Sequence, residues 1–235
     1  MSAAADIAAD KVVAALRPSE YTGALIQVLR AESRRVRGAN VLEIGSGSGV
    51  VLAALGAMGA ASLCGVDIER EAVAAGSRLL DELGHGAAAQ FHHGDMWQPM
   101  RGRRFDLVVA NLPHFPMTHG SFAGRHQSWS YGGADGRRLL DPFLEGLAGH
   151  LTSHGRAIVT HNAFVGLEKS RKILRCHGLE LTVASTVLVH IPTDKAELMT
   201  AAIRDAEEGR TIYRYGPYLF ADMHIVEIAS AQDLA

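Results

Sequence analysis

The chain has 235 residues, 48% of them hydrophobic and 20% charged, so it can bury a substantial core and does not have the composition of a disordered segment. Its formal net charge of −2 gives no overall attraction to nucleic acid, and two cysteines, Cys64 and Cys176, are too few for a disulfide framework. The first residues lack the basic and apolar regions of a signal peptide. We therefore expect a cytoplasmic protein with neither a membrane nor a nucleic acid as its partner.

Two amphipathic segments open the chain, at roughly 4–16 and 20–36. Pro18 separates them, because proline lacks the backbone N–H that would continue a helix. These segments predict a helical cap over residues 1–38, ahead of a main domain at 39–235. The sequence leaves open whether the cap acts as a lid.

From residue 41 onward, runs rich in β-branched residues alternate with helical patterns. Such alternation predicts βαβ units and a doubly wound, mostly parallel α/β sheet with helices on both faces. The seven predicted strands lie at 41–44, 61–66, 88–92, 105–110, 156–160, 179–190 and 223–228. The first predicted helix starts at residue 50, and four further helices are predicted at 70–83, 136–151, 167–177 and 194–207. Between them lies a loop at 111–135, and loops of that length in compact domains are commonly functional.

A glycine loop follows the first predicted strand, where residues 41–50 read VLEIGSGSGV. Gly45, Gly47 and Gly49 carry no Cβ, so a ligand can lie against bare backbone at the start of the next helix. The G-x-G-x-G spacing differs from the G-x-G-x-x-G of dinucleotide sites. The loop predicts an adenosyl cofactor, with an ordinary strand-to-helix turn as the alternative.

Acidic side chains follow the next two predicted strands. Asp67 lies 22 residues after Gly45, where a carboxylate can accept hydrogen bonds from both ribose hydroxyls, or can cap the next helix. Asp95 lies in the run His93-Gly94-Asp95-Met96, which taken alone would indicate only a turn. The order of these residues behind the glycine loop favours a cofactor site.

Together with Glu43, the glycine loop forms an E-x-G-x-G-x-G pattern that resembles the first motif of class I S-adenosylmethionine-dependent methyltransferases. The resemblance implies a Rossmann-like sheet and S-adenosyl-L-methionine as the cofactor. It also implies a set of cofactor-binding residues, namely Glu43, Gly45, Ser46, Gly47, Gly49, Asp67, Ile68, Asp95, Met96 and Asn111.

The fourth predicted strand runs into Asn111-Leu112-Pro113-His114, which resembles the N-P-P-Y motif of HemK/PrmC-type amino-methyltransferases. The amide oxygen of Asn111 and the backbone carbonyl of Leu112 can grip an N–H₂ group and aim its lone pair at a methyl carbon. Asn111 and His114 are the predicted catalytic residues. His114 could be a stacking platform, a general base or neither.

The segment 131–140 reads YGGADGRRLL and resembles the G-G-x-D-G-R segment of the same family. In that family the acceptor is a glutamine of a peptide-chain release factor. Aromatic residues are frequent in the loop before this segment, which suits a dry acceptor pocket, although the same rings could simply pack the loop. The predicted substrate-binding residues are Leu112, Pro113, Phe115, Trp129 and Tyr131.

The sequence thus predicts methyl transfer to an amide or amine nitrogen of a small molecule or of a protein glutamine. One alternative keeps the cofactor but transfers or cyclises its aminocarboxypropyl chain, releasing methylthioadenosine. Another is a nucleotide-binding module without catalysis. No metal is predicted, because histidine pairs such as His150 and His154 have no cysteine or carboxylate cluster beside them. The acceptor and the oligomeric state stay open.

Overall fold

A computed structural model of the chain describes residues 18–117 and 131–234. The predicted helix at 4–16 therefore lies outside the described residues. The strands are β1 (Asn40–Ile44), β2 (Ser62–Asp67), β3 (Ala89–His93), β4 (Phe105–Ala110), β5 (Leu151–Asn162), β6 (Glu180–Ile191), β7 (Ile212–Tyr215) and β8 (Tyr218–Ala229). The helices are α1 (Glu20–Ala31), α2 (Ser33–Val36), α3 (Val50–Ala57), α4 (Arg70–Glu82), α5 (Leu140–Leu147), α6 (Leu167–Arg175), α7 (Thr193–Leu198) and α8 (Ala201–Glu207).

The strands form one sheet in the order β3-β2-β1-β4-β5-β8-β6, with β7 paired to β8. Strand β1 runs parallel to β2 and β4, and β2 runs parallel to β3. Strand β8 is antiparallel to β6 and β7. The predicted doubly wound, mostly parallel sheet is confirmed. Among the described helices, none is both long and apolar enough to cross a membrane.

The sheet has eight strands rather than the seven predicted, and β7 is the additional one. Tyr213 and Tyr215 of this strand pair with Phe220 and Tyr218 across a hairpin to β8. Two predicted helices are also wrong in extent. The helix expected at 136–151 is confined to α5, and Leu151 already begins β5.

The helix expected at 194–207 is divided into α7 and α8. Met199 separates them, with extended backbone angles of φ −63° and ψ 137°. Its side chain is buried, and its backbone bridges Met117. A tertiary contact therefore interrupts a pattern that local propensity alone would continue.

The described residues divide into two compact units. The first holds the described part of 1–111 together with 149–158, and the second holds 112–148 and 159 onward. In the first unit, β1 is buried at four of its five positions, as expected of a strand covered on both faces. Leu25 and Leu29 of α1 are fully buried in the same unit. The boundary between 38 and 39 stays a prediction.

Candidate cofactor and acceptor sites

The glycine loop between β1 and α3 has a backbone that L side chains rarely adopt. Gly45, Gly47 and Gly49 have φ angles of 73°, 51° and 78°, all in the left-handed region. The loop is held to β2, because the N–H groups of Gly45 and Ser46 both donate to the Val66 carbonyl, at 2.8 and 3.0 Å. Three left-handed positions in five residues explain why glycine recurs at alternate positions.

Gly49 has a second requirement, which comes from helix packing. A Cβ at this position would lie 2.8 Å from the Cα of Gly76 in α4. The two glycines therefore let the start of α3 approach α4 closely. Gly49 also lies directly before the first residue of α3. Because it has no side chain, it does not cover the backbone N–H groups at the start of that helix.

Asp67 ties the glycine loop to the end of β2. Its Oδ2 accepts from the Gly47 N–H and its Oδ1 from the Glu69 N–H, both at 2.9 Å. The side chain is 7% exposed, and burial raises the pKa of this carboxyl despite those two hydrogen bonds. Each carboxylate oxygen keeps a further acceptor position, so a ribose hydroxyl can still bind. The alternative of a helix cap is wrong in detail, since Glu69 is the N-cap of α4.

Two polar side chains beside the loop are buried with an unsatisfied atom. Glu43 is 2% exposed and Ser46 is 4% exposed. Neither Glu43 Oε2 nor Ser46 Oγ has a hydrogen-bond partner within the described residues. Burial and the neighbouring Asp67 raise the pKa of Glu43 well above its ordinary value. Buried polar atoms normally have partners, so these two fit a site that a polar ligand completes.

The remaining predicted cofactor residues follow β2 and β3. Ile68 is 51% exposed directly after Asp67, although large apolar side chains are usually covered. Met96 has φ 46° and is the only residue other than glycine with a positive φ in the described part of the chain. Asp95 beside it is exposed. An apolar side chain can pack against an adenine ring, and an acidic side chain beside an unusual backbone turn can accept a hydrogen bond from its amino group. These observations fit S-adenosylmethionine.

Asn111 follows directly after β4 and is half-buried. Its Nδ2 donates to Thr22 Oγ1 of α1 at 3.5 Å, so the N-terminal helix contacts the motif residue. Asn111 is the last residue of the first unit and Leu112 the first of the second. The two acceptor groups that the motif predicts are therefore consecutive along the chain.

The hydrogen bonds of His114 define its tautomer. Its Nε2 accepts from the backbone N–H of Asn162 at 2.8 Å, because an amide N–H can only donate. Its Nδ1 therefore carries the proton and donates to the Leu112 carbonyl at 2.5 Å. The ring is 4% exposed, and burial with the nearby charges of Lys195 and Arg137 lowers its pKa to about 4. In this arrangement Nε2 is not available as a general base.

A second buried histidine, which the sequence did not predict as a site residue, lies beside His114. The ring centroid of His161 is 6.4 Å from that of His114. Its Nδ1 donates to the Asn162 carbonyl at 2.9 Å, and its Nε2 accepts from Ser170 Oγ at 2.8 Å. Burial is the main cause that lowers the pKa of His161 to about 3. Its place in a buried strand gave no motif to recognise.

The G-G-x-D-G-R segment packs directly against His114. A Cβ on Gly132 would lie 2.8 Å from the His114 Cα, and a Cβ on Gly136 would lie 2.7 Å from the His114 carbonyl oxygen. Arg137 is 3% exposed and forms an ion pair with Asp141 at 2.6 Å. The segment thus holds the backbone of the acceptor motif in place.

Arg137 also connects the segment to α6 and to the turn before it. Its Nη1 donates to the carbonyls of Val165 and Gly166, at 2.7 and 3.2 Å. Its Nη2 donates to Ser170 Oγ at 3.0 Å, and Ser170 in turn bonds His161. Arg137, Ser170, His161 and His114 form what we call the buried polar cluster.

The predicted substrate-binding residues lie in several environments. Leu112 and Phe115 are buried, at 6% and 3% exposed, and the Phe115 ring packs edge-on against Phe164 with centroids 6.0 Å apart. Pro113 and Tyr131 are partly exposed. Trp129 lies outside the described residues. Their contact with an acceptor stays a prediction.

Metal ligands are not grouped within residues 18–117 and 131–234, where no set of three histidine, cysteine or carboxylate side chains could hold an ion. His150 instead stacks on Trp97, with ring centroids 4.4 Å apart.

The methyltransferase domain family matches residues 41–126, which contain the glycine loop, Asp67, Asp95 and Asn111. A protein of Methanocaldococcus jannaschii named as an N5-glutamine methyltransferase is 26% identical over 178 residues, 74% of this chain and 88% of that protein. The release factor glutamine methyltransferase of Geobacter sulfurreducens is 33% identical over 102 residues, 43% of this chain but only 34% of that enzyme.

A solved structure from Pyrococcus horikoshii, named as an RNA methyltransferase, has a TM-score of 0.59 and covers 98% of both chains. Its sequence identity is 17%, so this likeness shows the fold alone. The present chain therefore shares its overall fold with that structure.

Proposed function

We propose that this chain, an S-adenosylmethionine-dependent methyltransferase of the class I fold, methylates the side-chain amide nitrogen of a glutamine in a protein. The observation that carries the proposal is the acceptor motif after β4. There the Asn111 amide is followed by a Leu112 carbonyl that a buried, neutral His114 holds by a hydrogen bond of 2.5 Å. The two relatives named for glutamine methylation support the same acceptor.

The first unit supplies the cofactor residues in this proposal. When bound, S-adenosylmethionine supplies a methyl carbon attached to a positively charged sulfur, which is a strong electrophile. The glycine loop and the buried Glu43 and Ser46 would hold its amino-acid end, because their unsatisfied polar atoms need partners. Asp67 would bind the ribose, while Ile68, Asp95 and Met96 would contact the adenine.

The acceptor motif would orient the side-chain amide of the substrate glutamine. The Asn111 Oδ1 and the Leu112 carbonyl are two acceptors for the two N–H bonds of a primary amide, which directs the nitrogen lone pair away from them. A carbonyl has two lone pairs, so Leu112 can accept from both His114 and the substrate. His114 then acts by positioning that carbonyl. The amide nitrogen releases one proton to water when it gains the methyl group, and His114 does not take that proton, in agreement with its lowered pKa.

Methyl transfer to a protein glutamine is tested with methyl-labelled S-adenosylmethionine and a purified bacterial peptide-chain release factor. Label should enter the release factor, and replacing its target glutamine with glutamate should abolish the incorporation. Label that enters RNA or a small-molecule extract instead, with none in the release factor, would contradict the proposed acceptor.

The role of Asn111 is tested by Asn111→Ala. We expect kcat/KM to fall by about a hundredfold or more, because the amide of the acceptor loses one of its two orienting groups. The affinity for S-adenosylhomocysteine, measured by calorimetry, shows separately how much the cofactor relies on this residue. Asn40→Ala is the matched control, since Asn40 is an exposed asparagine at the start of β1, whereas the glycine loop follows the end of that strand. Equal rates for Asn111→Ala and the wild type would refute the role of Asn111.

A further inference from the structure

The N-terminal helix α1 holds one end of the Asn111 side chain. Thr22, in the first turn of α1, is 7% exposed, and its Oγ1 faces Asn111 Nδ2 at 3.5 Å. The same Oγ1 accepts from the backbone N–H of Ser19 at 3.3 Å. The start of the helix thereby fixes the hydroxyl, and the hydroxyl is the group that the Asn111 amide contacts.

Helix α1 is itself anchored in the first unit. Leu25 and Leu29 are fully buried one and two turns after Thr22. Glu32, directly after the helix, forms an ion pair with Arg156 of β5, whose side chain is 4% exposed. A helix that is anchored in this way keeps Thr22 in a fixed position, and Thr22 can then restrict the orientation of the side chain it contacts.

We propose that Thr22 is a positioning residue for methyl transfer, because it binds the amide nitrogen of Asn111 and so turns the amide oxygen toward the acceptor. The Nδ2 and Oδ1 atoms of Asn111 lie on opposite sides of one planar amide group, so a bond that fixes the position of the nitrogen also fixes the direction of the oxygen. This inference rests on the proposed function. It makes the N-terminal extension part of the acceptor machinery rather than only a cover.

The contact is tested first without any acceptor, by NMR of the ¹⁵N-labelled full chain. The side-chain NH₂ signals of Asn111 are assigned by their loss in Asn111→Asp. In Thr22→Val, which keeps the shape of the side chain but removes the hydroxyl, these signals should move upfield and exchange faster with water. In Thr22→Ser they should stay close to the wild-type position, because the hydroxyl is retained.

The consequence for catalysis is tested by the kinetics of the same variants. Thr22→Val should lower kcat/KM by about five- to tenfold, the typical effect of one lost hydrogen bond, and should lower kcat while leaving the KM for S-adenosylmethionine nearly unchanged. Thr22→Ser should restore the rate. Ser19→Ala is the matched control, since it removes the Ser19 hydroxyl that lies 3.5 Å from Thr22 Oγ1 but keeps the Thr22 hydroxyl and the Ser19 N–H that binds it.

Unchanged Asn111 signals in Thr22→Val would overturn the proposal, and so would shifted signals together with a wild-type kcat/KM. Equal rate losses in Ser19→Ala and Thr22→Val would also overturn it, because the effect would then come from the helix start. If the wild type labels no glutamine while the Thr22→Val shift is present, the proposed acceptor fails and the Thr22 contact with Asn111 stands.

Discussion

His114 occupies the position at which the N-P-P-Y motif has an aromatic residue, and its hydrogen bonds show what the substitution does. The imidazole donates to the Leu112 carbonyl and accepts from the Asn162 N–H, so it joins the motif to the end of β5. A tyrosine ring has no equivalent pair of nitrogens on opposite sides. The sequence left three roles open for this residue, and the geometry favours the third, in which His114 neither stacks on the substrate nor accepts its proton.

The lowered pKa of His114 predicts how stability depends on pH. Below its ordinary pKa of 6.5 the unfolded chain binds a proton at this residue, whereas the folded chain does so only near pH 4. The unfolded state is therefore favoured progressively as the pH falls through this window. The unfolding free energy of the wild type should decrease relative to that of His114→Gln by up to about 3 kcal/mol between pH 7 and 4.

This difference is measured by urea unfolding of both proteins at each pH. Groups such as Glu43, which titrate in both proteins, cancel in the comparison. His177→Gln is the matched control, because His177 is exposed. The unfolding free energy of this variant should follow that of the wild type from pH 7 to 4. A constant difference between wild type and His114→Gln from pH 7 to 4 would contradict a buried neutral imidazole.

Among the elements, the turn before α5 shows most clearly why a motif recurs. Gly132 and Gly136 allow close approach to the backbone of His114, while Arg137 inserts toward α6 and binds three groups besides Asp141. The segment is recognisable in the sequence by resemblance, but the sequence does not indicate its contacts. Those three groups lie at least 28 residues from Arg137 along the chain, in α6 and the turn before it, and no sequence pattern marks them as its partners.

Replacing Arg137 tests whether the buried polar cluster supports the fold of the second unit. Arg137→Met keeps an unbranched stem but removes every donor, so Asp141, two carbonyls and Ser170 lose a partner. We expect the unfolding free energy to fall by about 3 kcal/mol or more. The neighbouring Arg138→Met is the matched control. Arg138 is exposed and lies 4.9 Å from the Tyr131 ring centroid, so its loss should cost less than about 1 kcal/mol. Similar losses in both variants would argue against a supporting role for Arg137.

At the scale of the whole molecule, the features that depend on periodicity and on glycine were the ones best predicted from the sequence. They include the sheet class, the strands β1 to β4 and the loop at Gly45 to Gly49. Prediction was poorest where pairing or contact with another part of the fold, near or distant along the chain, decides the outcome. The short strand β7 forms through pairing with β8, Met199 divides one helical pattern into two helices, and the tautomer of His114 depends on Asn162.

The most direct test of the central claim is to identify both products of one reaction. The full chain is incubated with S-adenosylmethionine and a release factor, and the mixture is analysed by mass spectrometry. We predict one added methyl group on a glutamine side-chain amide and an equal amount of S-adenosylhomocysteine. Methylthioadenosine as the cofactor product, or an unmodified glutamine beside consumed S-adenosylmethionine, would contradict the claim that this site transfers a methyl group to glutamine.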